Sequence, residues 1–156
     1  MLDPSHNYFP DANDPALAPF KTAFFSMMFA HAKFEECVRD LQIVVAGRAP
    51  RWPAKKRPKE MTKLIRKCLG EIPELSPIAS CLCRAVQLCH DRNQLAHGIW
   101  WRFDHGTSTI TVSTEREDED HKDFGSLEIM QIAEKFKDIE AELWKLKRQI
   151  EATKGM

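Results

Sequence analysis

Nine positions constrain this chain more than any other feature. Phe20, Phe24, Met27, Met28, His31, Phe34, Val38, Leu41 and Val45 recur at steps of mostly three and four. That spacing lays them along one face of a helix of about 28 residues, on the order of 42 Å long. A helix with one apolar stripe has to be covered by other elements. Asp14-Pro15 looks like its start, but Pro19 would then lose a backbone bond inside the first turns. The spacing therefore predicts a regular helix from about Ala18-Pro19, with Gly47 as its stop. His31 falls on the stripe and reads as a packed histidine rather than a ligand. Glu35, Glu36 and Arg39 read as a solvated flank.

Further stripes supply the cover. Met61, Leu64, Ile65, Cys68 and Leu69 make a short one, closed by Gly70. Ser76-Pro77 is an N-cap hydroxyl followed by Pro at the first helical position, and Ile78, Leu82, Ala85, Val86, Cys89 and Leu95 follow it. That third helix should end at His97, because Gly98 comes next. Ser126 caps the last helix, with Glu128 in its first turn and a stripe of Leu127, Met130, Ala133, Phe136, Ile139, Leu143, Leu146 and Ile150. Trp144 lies beside this stripe, either core or a contact with a second copy. Between the third and last helices, Ile99 to Asp104 and Thr107 to Thr114 flank the turn Asp104-His105-Gly106 and read as a β-hairpin. The expected fold is mainly α: an antiparallel helical bundle of about four helices, with a small β-hairpin inserted after the third helix at about residues 99–114. Residues 1–17, rich in Pro, Asp and Asn, read as an irregular arm, and residues 18–156 as a single helical domain. A chain of 156 residues buries roughly 70% of its unfolded surface, enough to fold without metal or disulfides.

Lys and Arg number 23, as do Asp and Glu, so the formal net charge is zero. No global field pulls such a chain onto nucleic acid or a membrane, and any nucleic-acid contact must be a local patch. One patch stands out. Pro50, Pro53 and Pro58 make residues 48–59 a loop, and Arg51, Trp52, Lys55, Lys56 and Arg57 cluster in it. These could grip a phosphate backbone and stack one base. A solvated basic loop fits the same residues equally well. Glu115 to Asp120 holds five acids and one Arg and reads as a mobile loop. The Cys count of five is odd, residues 1–14 lack a basic-then-apolar leader, and no apolar run nears the ~18 residues of a membrane span. Together these predict a cytoplasmic protein with no membrane contact. Cys81 and Cys83 would point ~200° apart on a helix, which favours buried thiols over a metal site. No metal or cofactor is expected.

The chemistry gathers where the third helix meets the hairpin, from Asp91 to Trp101. Asn93 and His97 are four apart and share a helix face. Arg92 and His97 are five apart and diverge by roughly 140°. Two copies meeting across a symmetry axis would ease that divergence, because the Arg of one chain can face the His of the other. An imidazole can take a proton from a hydroxyl and give one to a leaving oxygen. A guanidinium offers forked donors that match a phosphate. These are the parts for metal-free RNA cleavage, with Asn93 orienting His97 or holding a phosphate oxygen. Of the adjacent Trp100 and Trp101, one is core and Trp101 could stack a base near His97. The plainer reading is a polar helix end whose Arg and His bond to backbone and to Asp91.

Arg92-Asn93-Gln94-Leu95-Ala96-His97-Gly98 resembles the signature of the HEPN superfamily, an Arg, usually a polar residue, and a His four to six residues after it. The helical plan over about Ala18 to Glu151 is similar too. The resemblance implies a helical homodimer with two copies of the motif in an interface cleft. It implies a metal-independent endoribonuclease with Arg92 and His97 as the catalytic pair and Asn93 in support, as in toxins of toxin–antitoxin pairs and in antiviral systems. It also allows an inactive module that binds RNA, nucleotides or proteins, and a protein antitoxin or regulator as partner. One position departs from the pattern. Members silenced by nucleotidyl transfer carry a Tyr two positions after the His, where this chain has Ile99, and its single Tyr is Tyr8.

Overall fold

The computed structural model describes residue 11 and residues 13–46, 76–113 and 121–153. Helix accounts for 77% of them. The two competing start signals at the N-terminus are both used. Asp14 accepts from the Ala16 N–H at 2.9 Å and caps a 3-10 turn, Pro15–Leu17, and α1 (Ala18–Ala46) follows directly. The chain continues as α2 (Ser76–His97), β1 (Ile99–Asp104), β2 (Thr109–Ser113), β3 (His121–Gly125) and α3 (Ser126–Thr153). The ends of α2 fall where Ser76-Pro77 and Gly98 place them. Three helices stand among the described residues rather than about four; the short stripe at 61–69 and the acidic segment 115–120 lie outside them. The hairpin is a three-stranded antiparallel sheet, β1-β2-β3. Its third strand was not expected: His121-Lys122-Asp123-Phe124 has one apolar residue and no alternation to read.

The described residues fall into two compact units. The first takes the chain up to Phe29 together with His90–Glu134; the second takes Ala30–Cys89 and the chain from Lys135 on. In the first, cross-strand rows Phe103–Ile110–Phe124 and Trp100–Val112–Lys122 share one sheet face. Residues 100 and 103 of a regular strand would point to opposite faces. The register slips between Trp100 and Arg102, so Trp101 is an extra residue that shifts the parity. Both rings then meet α1: Phe103 against Phe20 at 5.6 Å and Trp100 against Phe24 at 5.3 Å. Asp104 Oδ1 accepts from the Gly106 and Thr107 N–H groups at the β1–β2 turn, and Ser108 closes it at φ 51°.

The second unit is built from helix alone among the described residues. Phe136 of α3 touches His31 at 5.3 Å and Phe34 at 5.4 Å between ring centroids, Cys37 Sγ lies 3.9 Å from the Glu140 carbonyl, and Lys147 lies 4.0 Å from Asp40. Partners advance together along both helices, so α1 and α3 run in the same direction here. His31 is buried, as expected, with Nε2 3.4 Å from Glu35. Burial pushes the Cys37 thiol up to about 12. Arg84 donates to Glu142 and to Cys81 Sγ, and the first of these bonds holds the Glu142 carboxyl below its usual range. Trp144 is half-buried between Lys147, over its ring at 4.3 Å, and Glu140.

Some core expectations fail in detail. Leu127 is 78% exposed and Met130 half-buried, and Ile129 and Ile132 are buried instead. Apolar residues at 127, 129, 130, 132 and 133 fit two phases of a helix, and the spacing alone favoured the wrong one. Leu146, Ile150 and Val86 are half-buried at the edges of their stripes. Of the two close thiols, Cys81 is buried but Cys83 is exposed, as their opposed directions require. Neither is in a disulfide, nor are Cys37 and Cys89.

Candidate active site

One row of the sheet grips the last two turns of α2. Trp100, Val112 and Lys122 are partners across the three strands, and each makes one bond to the helix. The Trp100 indole N–H donates to the Leu95 carbonyl at 2.7 Å. Gln94 Nε2 donates to the Val112 carbonyl at 3.4 Å. Lys122 Nζ donates to Asp91 Oδ1 at 3.0 Å while lying 5.0 Å from the Phe124 ring centre. The first of these satisfies one of the carbonyls that a helix end leaves without an internal partner. Residues 91, 94, 95 and 98 recur at three- and four-residue steps, so they form one helix face, the one turned to the sheet.

The residues of interest are those left over. Arg92, Asn93 and His97 each lie roughly 110° or more from the centre of the gripped face. His97 is exposed, and its side chain bonds to no described residue. Arg92 is half-buried, and its Nη1 donates to Asn93 Oδ1 at 2.8 Å. That bond turns the guanidinium toward Asn93, which shares a helix face with His97. Arg92 Nε is buried without an acceptor among the described residues. No described carboxylate pairs with the guanidinium; the acid next to it in the chain, Asp91, is 8% exposed and bonded to Lys122. The arrangement presents an imidazole at the end of α2 and, five residues before it, a guanidinium that no described acid neutralises.

Gly98 is what lets the helix end lie so close. Its N–H donates to the Gln94 carbonyl at 2.7 Å. A Cβ there would meet Val112 Cγ1 at 2.5 Å and the Ser113 carbonyl oxygen at 2.9 Å, and would strike the Gln94 carbonyl as well. Space, rather than a left-handed turn, demands glycine at this position.

Arg51, Trp52, Lys55, Lys56 and Arg57 lie outside the described residues, as does the Trp101 side chain. Among the described residues no three His, Cys, Asp or Glu side chains gather as metal ligands, and no helix is long and apolar enough to cross a membrane. The gripping residues Trp100, Val112 and Lys122 were missed as a set. Only the pairing of β1, β2 and β3 puts them in one row, and an unread third strand hid it. A scan of protein-family models finds no match to this chain, and searches of curated proteins and of solved structures also find none.

Proposed function

We propose that the chain is an HEPN-like, metal-independent endoribonuclease acting as a homodimer. The observation that carries this reading is an exposed His97 on α2, with an Arg92 guanidinium that no described acid pairs and that bonds to Asn93 on the same face as His97. In this mechanism a neutral imidazole takes the proton of a 2′-hydroxyl, and that oxygen attacks the adjacent phosphorus. The Arg92 guanidinium bears the charge that builds on the phosphoryl oxygens. A protonated imidazole gives its proton to the departing 5′-oxygen, leaving a cyclic phosphate and a 5′-hydroxyl. Each chain brings one His97, so a second copy supplies the second imidazole. Stacked Phe25 and Phe29, 71% and 55% exposed on the α1 segment of the same unit, offer an apolar contact for that copy.

In the same reading, Arg51, Trp52, Lys55, Lys56, Arg57 and Trp101 extend the RNA contact. The protein is a cytoplasmic toxin or defence component, held in check by a protein antitoxin or regulator. The test is direct. Wild type, Arg92→Ala and His97→Ala are incubated with single-stranded and structured RNA in EDTA. Wild type cleaves and leaves 5′-hydroxyl ends, and each variant loses at least about a hundredfold in rate, as expected for a lost acid–base group. A silent wild type, or undiminished cleavage by both variants, overturns the catalytic reading. Tight RNA binding without cleavage would make the chain the binding module instead, a role the Arg92–Asn93 bond also suits.

A further inference from the structure

We infer that His90 is a further phosphate contact, and that a strand of RNA lies lengthwise along α2 from His97 to His90. The inference rests on the reading of Arg92 and His97 as the phosphate site. His90 and His97 are seven residues apart, so they differ by only about 20° around the helix axis. Asn93 stands between them, about 60° from His90 and about 40° from His97. The three make one row, and all belong to the first unit. His90 is exposed, and its side chain, like that of His97, bonds to no described residue. Asn93 Oδ1 accepts from Arg92, which leaves its amide N–H groups to donate. The row therefore offers donors and no carboxylate. The one acid in α2 is Asp91, which bonds to Lys122 on the side turned to the sheet. The side chains within one turn of His90 on its own face are Val86, Gln87, Asn93 and Gln94, and none is charged. Such a row suits an anion, and its length suits a chain of them. His90 and His97 lie about 10.5 Å apart along the axis, over which one nucleic-acid strand carries about three phosphates. A single phosphate is too short to meet both imidazoles.

The test uses the full chain with a dinucleotide and an octanucleotide of 2′-O-methyl RNA, whose blocked 2′-oxygen cannot attack phosphorus. Binding is followed by chemical-shift titration at mildly acid pH, which charges imidazoles in general. His90→Ala should weaken the octanucleotide about tenfold, the worth of one charge-assisted contact, and leave the dinucleotide unchanged. Arg92→Ala should weaken both. For the octanucleotide, the slope of log affinity against log salt should fall by about 0.7 in His90→Ala, one phosphate on a single strand. His90→Lys should keep both affinity and slope. A purely structural lesion would weaken both lengths and would not be rescued by Lys. His90→Ala with wild-type affinity and slope for the octanucleotide overturns the inference, and so does an equal loss at both lengths. If the dinucleotide binds too weakly to register, slope and rescue decide: a lower slope restored by Lys supports the inference, and an unchanged slope overturns it. If His90→Ala does not fold, His90→Gln takes its place with the same expected outcomes. A wild type that binds the octanucleotide but does not cleave unmodified RNA removes the catalytic reading and leaves this inference standing. A wild type that does not bind RNA removes both.

Discussion

Around Phe136 in the second unit, rings meet rings. Around Leu95 in the first, three polar bonds from one row of a sheet hold two turns of helix. Apolar burial is large and non-directional, so it stabilises without setting an angle. Hydrogen bonds contribute little net energy each but have a strict geometry. The second unit therefore carries stability, and the first carries orientation. Substitutions should separate along that line.

Phe136→Ala should have the largest effect on folding. It empties a fully buried ring site and should cost about 3–5 kcal/mol in urea unfolding. The folded fraction should still bind RNA like wild type. A cost under about 1 kcal/mol would break the contrast, because the helical unit would then not depend on its core.

Gly98→Ala comes next and sharpens the orientation half. Two of the three atoms its Cβ would meet are backbone carbonyl oxygens, which cannot swing aside. The expected loss is about 1–3 kcal/mol, with RNA cleavage reduced beyond what the stability loss explains. Gly125→Ala is the control, because a Cβ there meets nothing within 4 Å. It should change stability by no more than about 0.5 kcal/mol. Equal effects at the two glycines would remove close approach as the reason for Gly98. Trp100→Phe keeps a ring near Phe24 and removes only the indole donor to Leu95. Its expected cost is about 1 kcal/mol in thermal or urea unfolding, with weaker RNA binding; unchanged stability and binding would show that the bond to Leu95 orients nothing.

The same line explains what the sequence discloses. Periodicity reports burial, so α1 from Ala18 and the core at Phe34, Leu82, Phe136 and Leu143 were legible. It does not report pairing. Lys122 reads as one more charged residue until β3 lies beside β2, and the bulge at Trp101 has no signature in its own residue type. Periodicity is also silent where two phases are equally apolar, which is how Leu127 came to be expected in the core. At the site, Arg92, Asn93 and His97 were legible as residue types at a spacing. The bond that turns Arg92 toward Asn93 was not, because it depends on a rotamer rather than a position.

The smallest expected effects are those of pH on the second unit, and they have opposite signs at its two ends. The folded Cys37 thiol sits at about 12 against an ordinary 9.0, because burial disfavours the thiolate. A raised thiol contributes stability that is complete below the unfolded value and is lost as pH climbs through the folded one. Unfolding free energy should therefore decline from pH 9 toward 12 more steeply in wild type than in Cys37→Ala. The Glu142 carboxyl is lowered, chiefly by its hydrogen bond to Arg84. Its contribution is present above the ordinary carboxylate range and is lost as pH falls through the lowered value. Both partners are about half exposed, so Arg84→Met should cost no more than about 1 kcal/mol at neutral pH and less at acid pH. Neither substitution should alter RNA affinity at neutral pH, since neither touches the row that grips α2. A change in that affinity would show that packing in the helical unit also sets the angle of the site, and would dissolve the division of labour drawn between the two.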